Sequence, residues 1–143
     1  MPVGKFLDEA GSLSFLVRQA WLSMRSAIEA ELKAHGLSVA QYATLMIVHE
    51  NSGCSNADVG RAVSSSRQAA NELLAGMERD GLIVRGPHPS DRRTQQITLT
   101  ELGRRRLEEA HPAVSRRENE LESTFTDDQR EAVRVWLAHM SQV

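Results

Sequence analysis

A chain of 143 residues has the length of one domain, and a domain of that size buries enough surface to form a real core. Hydrophobic residues make up 41% and charged residues 25%, an ordinary balance for a soluble globular protein. No apolar run approaches the ~20 residues of a membrane span, so no membrane partner is expected. The single cysteine, Cys54, excludes an internal disulfide and suits a reducing compartment.

The opening "MPVGKFLDEA" lacks the basic, apolar, small-residue order of a signal peptide, and a cytoplasmic location is expected. The formal net charge of −2 gives no hint of nucleic acid, but its distribution does. Residues 61–106 carry nine arginines against five acids, a local net of +4, which leaves −6 for the rest. Fifteen of the 17 basic residues are arginine, whose planar fork suits phosphate and guanine edges better than a lysine ammonium. An arginine-rich but merely solvated surface is the plain alternative.

In chain order, Leu13, Leu16, Val17, Ala20, Trp21, Met24, Ile28 and Leu32 recur at three- and four-residue steps, which predicts a long first helix with one apolar stripe. Gly36 ends it as a left-handed cap. Ser38-x-x-Gln41 is a capping box that opens a second helix, with Tyr42, Leu45, Met46 and His49 on one face. Ser55-x-x-Asp58 starts a short helix carrying Val59, Ala62 and Val63. "VSSS" interrupts it, and Ser65-x-x-Gln68 predicts a fourth helix with Ala69, Leu73, Leu74 and Met77 inward, closed by Gly81. "LIVR" (82–85) and "TQQITL" (94–99) read as strands, with "GPHPSD" as the loop between them. Thr100 caps a fifth helix in which Pro112 is expected to make a kink. Thr126-x-x-Gln129 opens the last helix, striped by Ala132, Val133, Trp136, Leu137 and Met140.

A short helix, a tight turn, a second helix and a β-hairpin describe a winged helix-turn-helix. The expected fold is therefore mainly α with a small β-hairpin wing. In a helix-turn-helix the second helix enters the major groove with its N-terminal residues facing base edges. Ser66, Arg67, Gln68 and Asn71 are expected to face out there. Arginine pairs bidentately with guanine, and glutamine or asparagine with adenine. Ser64, Ser65 and Ser66 beside free helix N–H groups suit phosphate oxygens. Helix capping by the serines, with a solvated Arg67, is the bland alternative.

The run "LLAGMERDGLIVRGPHPSDRRTQQITLTELG" is the sharpest part of a resemblance, over about residues 13–143, to the MarR family of transcription regulators. It joins a leucine-rich helix, "GLIVR", a D-x-R wing, and a strand ending in "LT" before a helix with an early glycine. The resemblance implies that Asp91 and Arg93 occupy the D-x-R positions. The motif's arginine enters the minor groove, where narrow A·T-rich tracts have enhanced negative potential. Asp91 would orient an arginine, and Arg92 would meet backbone phosphate. It also implies a homodimer joined by the outer helices, which gives the stripes of the first and last helices a purpose. The whole chain, 1–143, is then one domain. Its winged helix-turn-helix core spans about 36–100, flanked by N- and C-terminal dimerisation helices at about 5–35 and 101–143. The function implied is that of a sequence-specific repressor on a pseudo-palindromic double-stranded DNA operator. Family members often respond to a small aromatic or phenolic effector between the first, second and fifth helices. Trp21, Met24, Tyr42 and Met46 would supply its walls, and Arg18 or Arg25 would meet a carboxylate; ordinary core packing is the alternative for all four walls. Two departures stand out: Glu101 where the family often has proline, and serine in "VSSSRQ" where an apolar residue usually completes the turn.

Other chemistries find less support. Cys54 precedes the third helix, whose N-terminus would lower a thiol pKa, so a redox-responsive regulator stays open. The histidines, at 35, 49, 88, 111 and 139, have no close metal-ligand spacing, and no metal or cofactor is expected. No G-x-S-x-G, phosphate loop or known Cys–His arrangement marks an enzyme. A winged helix used for protein docking without DNA, and a regulator of another winged-helix family, are the remaining readings.

Overall fold

The computed structural model describes residues 11–63, 66–87, 89–90 and 93–142. Among the described residues, six helices and three strands run in the order α1 (Leu13–Lys33), α2 (Val39–Glu50), β1 (Cys54–Ser55), α3 (Asn56–Val63), α4 (Arg67–Arg79), β2 (Ile83–Pro87), β3 (Gln95–Leu99), α5 (Glu101–Leu121) and α6 (Asp127–Met140). Most boundaries are set by local chemistry. Ser38 and Gln41 form the reciprocal capping box at α2, and Thr126 and Gln129 form another at α6. Thr100 Oγ1 accepts from the Gly103 N–H at 2.9 Å to start α5. Gly36 at φ +67° and Gly81 at φ +77° turn the chain out of α1 and α4 through a conformation that side chains disfavour.

Strands β2 and β3 form the expected antiparallel hairpin, with Ile83 opposite Leu99 and Pro87 opposite Gln95. Gly86 and Pro87 therefore belong to the strand rather than to the loop. Pro87 is tolerated because β2 is an edge of the sheet, whose order is β1-β3-β2. The two-residue β1, which pairs Cys54 with Ile97, was not expected. It bonds the start of the helix-turn-helix to the wing.

The core gathers Ile28 and Leu32 of α1, Tyr42, Leu45 and Val48 of α2, Val59 of α3, Leu74 and Met77 of α4, Ile83 and Ile97 of the wing, and Leu107, Ala110 and Val114 of α5. Two face assignments change. Helix α2 buries Tyr42, Thr44, Leu45 and Val48, while Met46 and His49 are exposed. Tyr42 and the four consecutive apolar positions 45–48 offered more than one face, and packing chose between them. Helix α4 buries Ala70, Leu74 and Met77, with Ala69 and Leu73 half-buried. Its cap is Ser66, which accepts from the Ala69 N–H at 3.0 Å, instead of Ser65 with Gln68. Three serines in a row offered three caps. Gln68 instead reaches Glu72 along the helix, at 3.4 Å. Helix α5 passes Pro112 as one element.

The N-terminal half of α1 and all of α6 bury nothing within the chain. Trp21, Leu22 and Met24 on α1, and Val133, Trp136, Leu137 and Met140 on α6, remain exposed. Helix α6 is tied to the end of α5 by ionic contacts. Both Arg134 Nη atoms donate to the Glu122 carboxylate at 2.8 Å, and Arg130 Nε donates to the Glu122 carbonyl at 3.1 Å. The hydrogen bonds from Arg134 hold the Glu122 carboxyl below its ordinary value of 4.5, and the charges of Arg134 and Arg130 add to this. A depressed carboxylate stabilises the fold above its ordinary value and loses that contribution as pH falls through the depressed one. The α5–α6 corner is thus expected to hold at neutral pH and to loosen only in acid, below the ordinary carboxylate value. Trp136 emission followed from pH 7 to pH 3 in a Trp21→Phe background checks this; a transition near neutrality would contradict it.

Candidate nucleic-acid interface

Helices α3 and α4 and the base of the wing enclose an open cleft of about 1090 Å³. Four residues singled out in the sequence line it: Ser66 and Arg67 at the start of α4, Asn71 one turn on, and Arg93 where the chain returns to β3. Gln68 is exposed on α4 but does not line the cleft. Ser64, Ser65, Asp91 and Arg92 lie outside the described residues. The cap at Ser66 makes Arg67 the first residue of the helix, with its side chain exposed. It carries no ion pair among the described residues.

The cleft also recruits Ser55 of β1, Asn56 and Arg61 of the first helix of the pair, and Thr94 and Gln95 entering β3. These were missed because no local pattern marks them; β1 pairing with β3 brings them there. At the start of α3, Ser55 and Asp58 cap each other, the Asp58 carboxylate taking the Ser55 N–H at 2.9 Å. Bonds from Ser55, and then the Arg61 guanidinium, hold Asp58 below its usual value. The positive field of the arginine-rich stretch is partly spent inside the chain. Arg61 pairs with Asp58, Arg85 with Glu78, and Arg104 with Glu101 and Glu108.

The six residues placed around an effector do not share a described cleft. Trp21 is 49% exposed and Met46 37%, and Met24, Arg18 and Arg25 are also on the surface. Only Tyr42 is buried. Its hydroxyl hydrogen-bonds His111 Nδ1 at 2.9 Å and so joins α2 to α5. Burial, with the nearby Glu118 charge, pushes the Tyr42 phenol up.

Cys54 is 8% exposed within β1. Burial and the Asp58 carboxylate push its thiol up, which reverses the expectation of a helix N-terminus lowering it. The carboxylate that caps α3 offsets the helix's own positive end. Native protein at pH 7.5 is accordingly expected to react slowly with iodoacetamide and the urea-unfolded chain quickly, as mass spectrometry would show. Equal rates would reopen a redox role. Among the described residues, no group of three or more His, Cys, Asp or Glu side chains could hold a metal ion, and no helix is long and apolar enough to cross a membrane.

A capped two-helix unit followed by a hairpin, with both opening on one arginine-bearing cleft, defines a winged helix-turn-helix protein. Its backbone is similar to that of CouR from Rhodococcus jostii RHA1 bound to p-coumaroyl-CoA. The TM-score is 0.84 at 26% identity over 92% of this chain and 93% of that one. The transcriptional repressor CouR bound to a 23-mer DNA duplex gives 0.82 at 27% identity, covering 91% and 92%. In sequence, the chain is 28% identical over 108 residues to the HTH-type transcriptional repressor Rv2887 of Mycobacterium tuberculosis, covering 76% of this chain and 78% of that protein. The MarR family model matches residues 35–94, from the end of α1 into the wing. Over that stretch the chain is similar to the MarR family of transcriptional regulators.

Proposed function

We propose that this regulator is a homodimeric repressor that binds a pseudo-palindromic operator, acts by binding rather than catalysis, and is released by a small aromatic or phenolic ligand. The observation that carries the DNA reading is the convergence of Ser66, Arg67, Asn71 and Arg93 on one open cleft. A helix start with a guanidinium and a carboxamide suits base edges, and an arginine at the wing suits a minor groove. The resemblance to a DNA-bound repressor supports it. The exposed apolar stripes of α1 and α6 support a two-fold interface, because a monomer gains nothing from leaving them in water.

Titration of duplex binding against salt, with sedimentation at micromolar protein, tests both parts. The reading requires a dimer and a steep fall of affinity with salt as counterions are released. A monomer, or binding without a salt slope, would refute it and favour a protein-docking module.

The effector reading draws support from the CoA-thioester-bound relative and from the Tyr42–His111 bond, which joins the core to α5 where a ligand could alter the spacing of two recognition helices. Only ~1–3 kcal/mol of differential affinity is needed. A panel of salicylate-like compounds, followed by tryptophan emission in a Trp136→Phe background and by operator affinity, decides. No response in either signal would leave a ligand-independent regulator.

A further inference from the structure

We propose that the Glu78–Arg85 pair is a positioning device that fixes the wing relative to the recognition helix, so that Arg93 reads its groove only while the pair is intact. The proposal rests on the DNA reading above. Glu78 lies in the last turn of α4, and Arg85 lies at the root of the wing in β2. Both arms of the carboxylate are used. One oxygen takes Arg85 Nη2 at 3.2 Å, and the other takes the Arg85 backbone N–H at 3.4 Å. β2 is an edge strand, and this N–H is directed to the Glu78 carboxylate and would otherwise need water. The Arg85 side chain is only 16% exposed, which separates it from the exposed Arg67. Its Nε is buried and has no hydrogen-bond partner. A buried donor left unmet opposes stability, so the guanidinium is held for the geometry it imposes. Two residues beyond Arg85, Pro87 still pairs with Gln95, and Gln95 and Arg93 line the cleft. An angular change at Arg85 is therefore carried along a paired ribbon to Arg93.

The test compares wild type, E78Q and the neutral pair E78Q/R85M, each alone and combined with R67A or R93A, on one operator duplex selected from a random pool. E78Q leaves a buried guanidinium without its carboxylate and is expected to melt lower. The neutral pair removes that charge and is expected to regain most of the melting temperature. It should still bind roughly ten-fold more weakly, the scale of coupling within one hydrogen-bonded network. In the neutral pair, R93A should cost little more, while R67A should retain its full cost. Wild-type affinity with an undiminished R93A effect would overturn the proposal. So would equal loss of the R67A and R93A effects, which marks a general loss of structure. Failure of the wild type itself to bind duplex with a salt slope would refute the DNA reading, and this proposal with it.

Discussion

Replacing Gly103 with alanine destabilises the folded chain by about 3 kcal/mol or more, at the upper end of the cost of overpacking. A Cβ there would stand 2.0 Å from the Leu82 carbonyl oxygen and 3.0 Å from its carbon. Both are backbone atoms, so no rotamer change relieves the contact. The Leu82 carbonyl also accepts the Thr100 N–H at 3.1 Å, and Thr100 Oγ1 donates to the Gly81 carbonyl at 2.6 Å. Moving α5 away would loosen the junction where α4, β2 and α5 meet. Helix propensity points the other way, since alanine is favoured over glycine by up to ~1 kcal/mol. The clash is the larger effect and sets the sign. Urea denaturation of Gly103→Ala beside Gly86→Ala, where an added Cβ meets nothing within 4 Å, measures it. An unchanged or raised midpoint for Gly103→Ala would contradict the close approach.

The second large effect lies in the cleft. Arg67→Ala and Asn71→Ala are expected to relax base preference, each lost base contact costing ~1–3 kcal/mol. Arg93→Ala is expected to weaken binding through flanking A·T-rich sequence instead, because its guanidinium stands at the wing and not on α4. A phosphate contact behaves differently again: its loss lowers affinity on every sequence and shrinks the salt slope by about one unit. Competition binding with operator variants separates the three cases. Wild-type affinity and preference in all three variants would mean that the cleft is not the recognition surface.

Much of this was legible because it is local. Ser38 with Gln41, Thr126 with Gln129, and Ser55 with Asp58 are reciprocal pairs three residues apart, and each formed as read. Gly36 and Gly81 mark reversals that need positive φ. Where local signals were degenerate, the structure decided. Three adjacent serines left the cap of α4 uncertain by one residue, and the cap at Ser66 makes Arg67 the first helical residue. Beside Leu74 and Met77, packing buries Ala70 and leaves Ala69 half-buried. Cys54 and Ser55 have no strand signature, and they form β1 only because β3 lies beside them. The same return of the chain places Asn56, Thr94 and Gln95 in the cleft, which no pattern in their neighbours could reveal. The stripes on α1 and α6 were visible as apolar periodicity. The single chain leaves them uncovered, so the sequence marked the surface but not what covers it.

The central claim is that two copies of this cleft read one duplex. Selection of bound duplexes from a random pool, followed by sequencing, tests it most directly. The account predicts an enriched inverted repeat with half-sites about one helical turn, ~10 bp, apart centre to centre. A pool that emerges unenriched, or enriched for a single unrepeated site, would contradict it.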